Sequence, residues 1–154
     1  MTLKKLAWAA VLGVSTVLLA AQLVPVKRTN LLIRGTLPAR PEIETTLKRA
    51  CYDCHSNETR WPWYSCAAPL SWLVVHDVTL GRKEVNFSEW GSYNPATRRR
   101  KLEWMGRTLR EETMPPWTYR LLHADARLTN AERAALERWI EFQVAAIQEQ
   151  KQKN

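Results

Sequence analysis

Two cysteines and a histidine stand close together in the chain, at Cys51, Cys54 and His55. The C-x-x-C-H spacing is typical of c-type haem attachment. Two thiols at this separation can add to the two vinyl groups on one porphyrin edge, and the histidine that follows directly can then reach the iron. The spacing therefore predicts one covalently bound haem c, with thioether bonds to Cys51 and Cys54 and with His55 as the proximal iron ligand.

Three other interpretations of these cysteines remain open. A thioredoxin-like redox pair also has the C-x-x-C spacing, but it needs a βαβ context that the sequence does not provide. A zinc site would need two further ligands, which Cys66 and His76 could supply. A plain disulfide is stable outside the cytoplasm. The histidine at the fifth position of the motif and the apolar N-terminal segment favour haem over all three.

An electron carrier is expected to have a sixth iron ligand, and Met114 is the first candidate. Pro115 and Pro116 follow it in a loop between two predicted helices, so the loop is stiff and the thioether needs little reorganisation to reach the iron. A thioether ligand raises the reduction potential of haem. His76, on a predicted helix, is the alternative distal ligand and would give a lower potential, while His123 is a weaker candidate than either.

The N-terminal segment predicts a membrane anchor. Lys4 and Lys5 precede an uncharged run of 21 residues, from Leu6 to Val26, and about 20 residues cross a bilayer as a helix. We expect residues 1–28 to be retained as an anchor rather than cleaved as a signal segment. Because bacteria attach c-type haem on the outer side of the cytoplasmic membrane, a single-pass protein with its haem domain facing the periplasm or exterior is predicted.

The remaining chain predicts a mostly helical domain with long loops. Residues 29–40 have no clear period and are interpreted as a linker, residues 41–148 as the haem-binding domain, and residues 149–154 as a polar tail. Hydrophobic spacing and capping residues favour four helices, and no convincing strand is found. The helices are expected at about residues 41–51, 69–81, 94–112 and 129–148, the last with a capping box of Thr129 and Glu132.

The charge of the chain limits the choice of partners. The 154 residues carry a net charge of +8, and four of the 23 basic residues flank the apolar N-terminal run. Without those four, 19 basic residues stand against 15 acidic ones, a mild surplus that permits an acidic partner surface. The basic run at residues 98–101 is most simply a solvated helix face, so nucleic-acid binding is not predicted.

Several short segments beyond the C-x-x-C-H motif carry a resemblance to a known family. They span residues 41–142 and are residues 51–57, 61–65, 68–72, 81–82, 86–90, 114–116 and 128–132, together with Tyr119 and His123. On these residues the chain resembles the haem-binding domain family of small, membrane-anchored bacterial proteins related to cytochrome c. The resemblance implies haem attachment at Cys51 and Cys54, iron ligation by His55, and a match of Met114 to the distal ligand. It also implies a cytochrome c-like all-α fold in which the helix before the motif packs on the last helix.

Two kinds of function follow from a covalent haem. The first is one-electron transfer without conversion of a substrate, so the protein is not expected to be an enzyme. Its partners would be redox proteins in or near the membrane. The alternative is a peroxidase-like enzyme, or a haem or gas sensor, in which the sixth ligand is displaced.

Overall fold

The computed structural model describes residues 2–153, and within this range every regular element is helical and no strand is present. The predicted all-α fold class is therefore confirmed. Short 3-10 helices lie in the connections, at Trp63–Cys66, Phe87–Ser92 and Ala124–Ala126. The α-helices in this range are α1 (Leu3–Ala21), α2 (Pro41–Ala50), α3 (Tyr52–His55), α4 (Leu70–Glu84), α5 (Pro95–Arg110), α6 (Trp117–Leu122) and α7 (Asn130–Lys153).

Helix α1 begins with Leu3, Lys4 and Lys5, carries no charge from Leu6 to Ala21, and buries none of its residues in the protein. It is 19 residues long with a mean hydropathy of 1.6, which is long and apolar enough to cross a bilayer. The predicted N-terminal apolar helix is therefore confirmed. A signal sequence near the N-terminus has the same length and composition, so retention of the segment stays a prediction.

The core lies between α2, α5 and α7, with the 3-10 helix Phe87–Ser92 against them. Leu47, Phe87, Leu102 and Leu136 are each 1% exposed. Apolar side chains recur every three or four residues along each helix and so form one buried stripe per helix. The buried partners of these four side chains include Ile43, Met105, Leu109, Trp139 and Ile140. The expected packing of the helix before the motif on the last helix is thus confirmed.

Helix α7 begins with the predicted capping box. Thr129 N–H donates to Glu132 Oε2 at 2.8 Å, and Glu132 N–H donates to Thr129 Oγ1 at 3.2 Å. These bonds satisfy backbone donors that the first turn leaves free. The helix continues to Lys153, into the predicted polar tail and beyond the expected end at about residue 148, because the segment is rich in the helix formers Gln, Glu and Lys and has no Gly or Pro.

The predicted linker at residues 29–40 is packed against the domain. Arg34 N–H donates to Ser88 O at 2.7 Å, and Leu37 N–H donates to Phe87 O at 3.1 Å. The Leu37 side chain is only 5% exposed. The lack of a helical period correctly excluded a helix here. It gave no information on these long-range backbone bonds, which make the segment part of the domain.

Candidate functional site

The C-x-x-C-H motif begins where α2 ends. Cys51 N–H donates to Leu47 O at 2.8 Å and closes the last turn of α2. Helix α3 is then a single turn, in which His55 N–H donates to Cys51 O at 2.9 Å. This turn is what a spacing of two residues between the cysteines needs, since it brings Cys51, Cys54 and His55 onto one wall.

A cavity of about 770 Å³ lies against this wall. Its volume falls within the roughly 300–1,000 Å³ that ligand sites in proteins usually have. Its lining is mostly apolar and comes from α2 to α7. It contains the predicted residues Cys51, Cys54, His55 and Met114, and also Leu47, Leu73, Val78, Phe87, Trp104 and Trp117. Two thiols, an imidazole and a thioether therefore meet at one apolar space large enough for a flat cofactor.

The orientation of the His55 ring is fixed by two backbone carbonyls. Its Nδ1 lies 2.9 Å from Gly81 O and 3.2 Å from Val85 O. Both neighbours are acceptors, so Nδ1 carries the proton and Nε2 keeps its lone pair. Burial lowers the pKa of His55, which favours the neutral imidazole that binds metals. Within the described part of the chain no hydrogen bond reaches Nε2. A histidine whose Nδ1 is oriented by backbone carbonyls can bind iron through Nε2.

Gly81 lets α4 approach the motif closely. A Cβ atom at this position would lie 2.5 Å from Cys54 O and 3.1 Å from Cys54 Cβ. The sequence predicts that the helix ends at Gly81, but α4 continues to Glu84. The glycine is therefore required by contact with the backbone of Cys54 rather than by a helix terminus. Its carbonyl oxygen also accepts the hydrogen bond from His55.

Replacing Gly81 by Ala is expected to reduce both stability and haem content. The new methyl group meets backbone that cannot move aside, and overpacking of this kind costs about 1–3 kcal/mol. The measurement is the thermal midpoint of the holoprotein together with its ratio of haem to protein. Gly106→Ala is the matched control, because its Cβ would meet the flexible Arg110 Nη1 at 3.3 Å. Equal stability of Gly81→Ala and wild type would contradict this contact.

Cys51 and Cys54 are half-buried, and the pKa of each thiol is raised. Desolvation is the larger cause and the neighbouring Cys54 the smaller cause that raise the pKa of Cys51 to about 12. For Cys54, desolvation is again the larger cause and Asp77 the next, and together they raise its pKa to about 12. Both sulfurs are therefore protonated at neutral pH, unlike those of a reactive redox pair. All three cysteines, including the exposed Cys66, are free in the structure.

The zinc interpretation of these cysteines lacks a suitable ligand set. In residues 2–153 there is no group of three or more His, Cys, Asp or Glu side chains that could hold a metal ion. Cys66 is exposed, does not line the large cavity, and accepts a hydrogen bond from Arg28 Nη1 at 2.6 Å. His76 also lies outside the cavity. Neither residue supplies the two further ligands that a zinc site would need.

Met114 reaches the cavity through the turn that ends α5. Glu112 adopts a left-handed conformation with φ 54°. Its N–H donates to Leu109 O at 3.1 Å, and Thr113 N–H donates to Thr108 O at 3.1 Å. This pair of bonds is the Schellman arrangement, and it ends the helix at Arg110 rather than at the predicted residue 112. The chain then turns toward the cavity, where Met114 is half-buried.

The three candidates for the distal ligand are placed differently. Met114 and His123 line the cavity, whereas His76 lies on the exposed face of α4 outside it. The His123 ring stacks on Tyr119, with ring centroids 4.0 Å apart, and its Nε2 lies 3.4 Å from Tyr64 Oη. The geometry thus favours Met114 over His76. It also makes His123 a stronger candidate for the distal ligand than the sequence did, because this residue lines the cavity.

Asp53, between the two cysteines, is a site residue that sequence reasoning missed. The side chain is buried, and its carboxylate accepts hydrogen bonds from the Arg60 guanidinium at 3.1 and 3.2 Å. Tyr119 Oη donates to Asp53 Oδ2 at 2.8 Å. Burial is the larger cause that raises the pKa of Tyr119, and the hydrogen bond to Asp53 is the next. Both therefore keep the phenol protonated. Asp53 occupies one of the two x positions of the C-x-x-C-H motif, where the motif requires no particular residue. The motif therefore gave no indication of these long-range partners.

Arg60, Arg82 and Lys83 are basic side chains near the attachment motif or the cavity, and each could in principle bind a haem propionate. Arg82 already donates four hydrogen bonds within the protein, at 2.7–3.1 Å. Lys83 is exposed and does not line the cavity, whereas Arg60 lines it and pairs with Asp53. The Trp61 indole Nε1 is buried, and it has no hydrogen-bond partner among residues 2–153. Trp61 does not line the cavity, so Arg60 is the one of these four side chains that does.

Comparison with known proteins gives two matches. A family model described as a haem-binding domain matches residues 16–142. The chain is also similar to cytochrome c peroxidase Ccp from Escherichia coli (strain K12), with 29% identity over 104 residues, which are 64% of this chain and 22% of that protein. The chain thus spans less than a quarter of the length of this curated relative. No solved structure matches it.

Proposed function

The chain belongs to the haem-binding domain family, and we propose that it binds one haem c covalently through Cys51 and Cys54 and transfers single electrons. In this proposal His55 is the proximal iron ligand and Met114 is the distal one. The observation that carries the proposal is the shared cavity. The thiols of Cys51 and Cys54, the His55 imidazole and the Met114 thioether line one apolar space of about 770 Å³.

Each residue has a distinct role in this proposal. Bound haem supplies an iron that gains and loses one electron. The thioether bonds of Cys51 and Cys54 prevent loss of the cofactor, and the hydrogen bond from His55 Nδ1 to Gly81 O orients the ligand. Apolar side chains such as Phe87 exclude water and lower the local dielectric. No substrate is transformed, so the protein acts as an electron carrier rather than as an enzyme.

Spectroscopy of the full-length protein, produced with a c-type cytochrome maturation system, tests this function. Low-spin ferric iron is expected, and carbon monoxide should not bind the ferrous protein at neutral pH, because Met114 occupies the sixth position. High-spin ferric iron with rapid binding of carbon monoxide would contradict the electron-carrier role even if the haem is covalently attached.

A peroxidase-like activity is the second candidate function. The observation in its favour is His123, a cavity-lining imidazole whose Nδ1 lies 3.1 Å from Tyr119 O. With its proton on Nδ1, the ring has Nε2 as an acceptor beside the cavity, 3.4 Å from Tyr64 Oη, and proton transfer by histidine is common in catalysis. The similarity to a bacterial cytochrome c peroxidase points the same way. Turnover of hydrogen peroxide that is lost in His123→Ala but kept in His76→Ala would support this function over electron transfer alone.

The proposed location is the bacterial cytoplasmic membrane, with the haem domain on the periplasmic or outer side. Helix α1 supports a single-pass anchor by its length and exposed apolar surface. An anchor of this kind would keep the domain close to redox protein partners in or near the membrane. If the segment is retained, the protein should stay with the membranes in alkaline carbonate and keep its full N-terminus. Release of a shortened protein would identify a signal sequence instead.

A further inference from the structure

A side-chain hydrogen bond joins the haem-attachment motif to the segment that carries Met114. Asp53 lies between the two cysteines, and Tyr119 lies in α6, which begins directly after Pro116. Tyr119 Oη donates to Asp53 Oδ2 at 2.8 Å, across 66 positions of the chain. The bond therefore connects the two parts of the chain that carry the two proposed iron ligands.

The acceptor of this bond is held firmly. Asp53 is 8% exposed. Arg60 donates to it from its backbone N–H at 3.0 Å and from its guanidinium at 3.1 and 3.2 Å. Hydrogen bonds to a carboxylate are stronger than those between neutral groups, and they are screened less when buried. Asp53 thus offers Tyr119 a fixed and strong acceptor.

Helix α6 has few other contacts that could hold it. It is six residues long and none of its residues is buried. Trp117, Leu121 and Leu122 line the cavity and are all more than 60% exposed. A short helix without buried side chains opens locally at low cost. Its polar attachment to the rest of the polypeptide therefore depends on Tyr119 and on the C-cap residue His123, whose Nε2 lies 3.4 Å from Tyr64 Oη.

We infer that Asp53 and Tyr119 are positioning residues that hold the Met114 segment against the attachment motif and so keep the sixth coordination position closed. The inference rests on the proposed function, since it requires covalent haem and ligation by Met114. Without the bond, the segment that contains Met114 detaches more often, and a small ligand competes for the iron. A hydrogen bond to a charged acceptor shifts such an equilibrium by about tenfold or more.

The test is titration of the ferric holoprotein with imidazole, in wild type and in Tyr119→Phe. The variant keeps the aromatic ring and loses only the hydroxyl. Its affinity for imidazole is expected to rise about tenfold, and the weak long-wavelength band of a methionine-ligated ferric haem should decrease. Asp53→Asn should change both in the same direction. The double variant should show much less than the sum of the two single effects, because Tyr119→Phe removes the same bond that Asp53→Asn weakens by removing the charge of the acceptor.

Tyr93→Phe is the matched control. Its ring is half-buried and its hydroxyl accepts a hydrogen bond from Asn86 N at 3.2 Å, but it does not line the cavity. It should change thermal stability without changing imidazole affinity or the long-wavelength band. This separates positioning of the ligand from a general loss of stability.

The possible outcomes separate the inference from the function on which it rests. Wild-type affinity and an unchanged band in both Tyr119→Phe and Asp53→Asn would overturn the inference and leave the proposed function intact. A wild-type protein with haem but without the methionine band would overturn both. If Tyr119→Phe does not accumulate, the same titration of Asp53→Asn decides between these outcomes.

Discussion

Replacing Cys51 and Cys54 together by Ser is expected to abolish covalent haem attachment completely. A serine hydroxyl does not form the thioether bond to a porphyrin vinyl group, and both cysteines line the cavity. Haem that still enters the apolar space would be held only by His55 and by packing. Extraction with acidified organic solvent should therefore remove all haem from the double variant and none from wild type, as seen by haem staining of denaturing gels.

Cys66→Ser is the matched control for this experiment. Cys66 is exposed, lies outside the large cavity, and has Arg28 as its polar neighbour. The control should keep the haem staining of wild type. Haem that remains bound to the double variant after extraction, or is lost from Cys66→Ser, would contradict the assignment of the two attachment sites.

Replacing Met114 by Ala is expected to open the sixth coordination position. The variant should lose the long-wavelength ferric band and bind carbon monoxide when reduced. A soft thioether stabilises ferrous iron, so its loss should lower the reduction potential by on the order of 100 mV. Potentiometric titration followed by visible spectroscopy measures these changes in one sample.

His76→Ala is the control for Met114→Ala, because His76 is exposed and does not line the cavity. It should keep the spectrum and potential of wild type. If Met114→Ala leaves both unchanged, Met114 is not the ligand. The combined variant with His123→Ala then shows whether the second cavity-lining histidine holds the iron instead.

The local part of this structure could be predicted from the sequence. Helix α2, the stripe of Leu102, Met105 and Leu109 on α5, and the capping box of Thr129 and Glu132 all depend on residues within a turn or two of each other. The C-x-x-C-H motif is equally local. Hydrophobic spacing and capping patterns therefore located these helices and the motif close to where the structure has them.

The features that the sequence did not reveal depend on contacts between distant segments. Gly81 looks like a helix end, but its role is set by the backbone of Cys54, 27 positions earlier. The segment that contains Leu37 has no period, yet it binds the 3-10 helix Phe87–Ser92. Helix α6 is too short for a periodic signal, and the partnership of Tyr119 with Asp53 spans 66 positions. No local pattern encodes such pairs.

The most direct test of the account is the intact mass of the full-length protein, made with a c-type cytochrome maturation system and shown to be folded by circular dichroism. The alkaline pyridine spectrum of the same sample should be recorded beside it. The account predicts a mass gain of one haem and a spectrum typical of two saturated vinyl groups. A folded protein with the mass of the bare polypeptide, or one whose haem separates on denaturation, would contradict it.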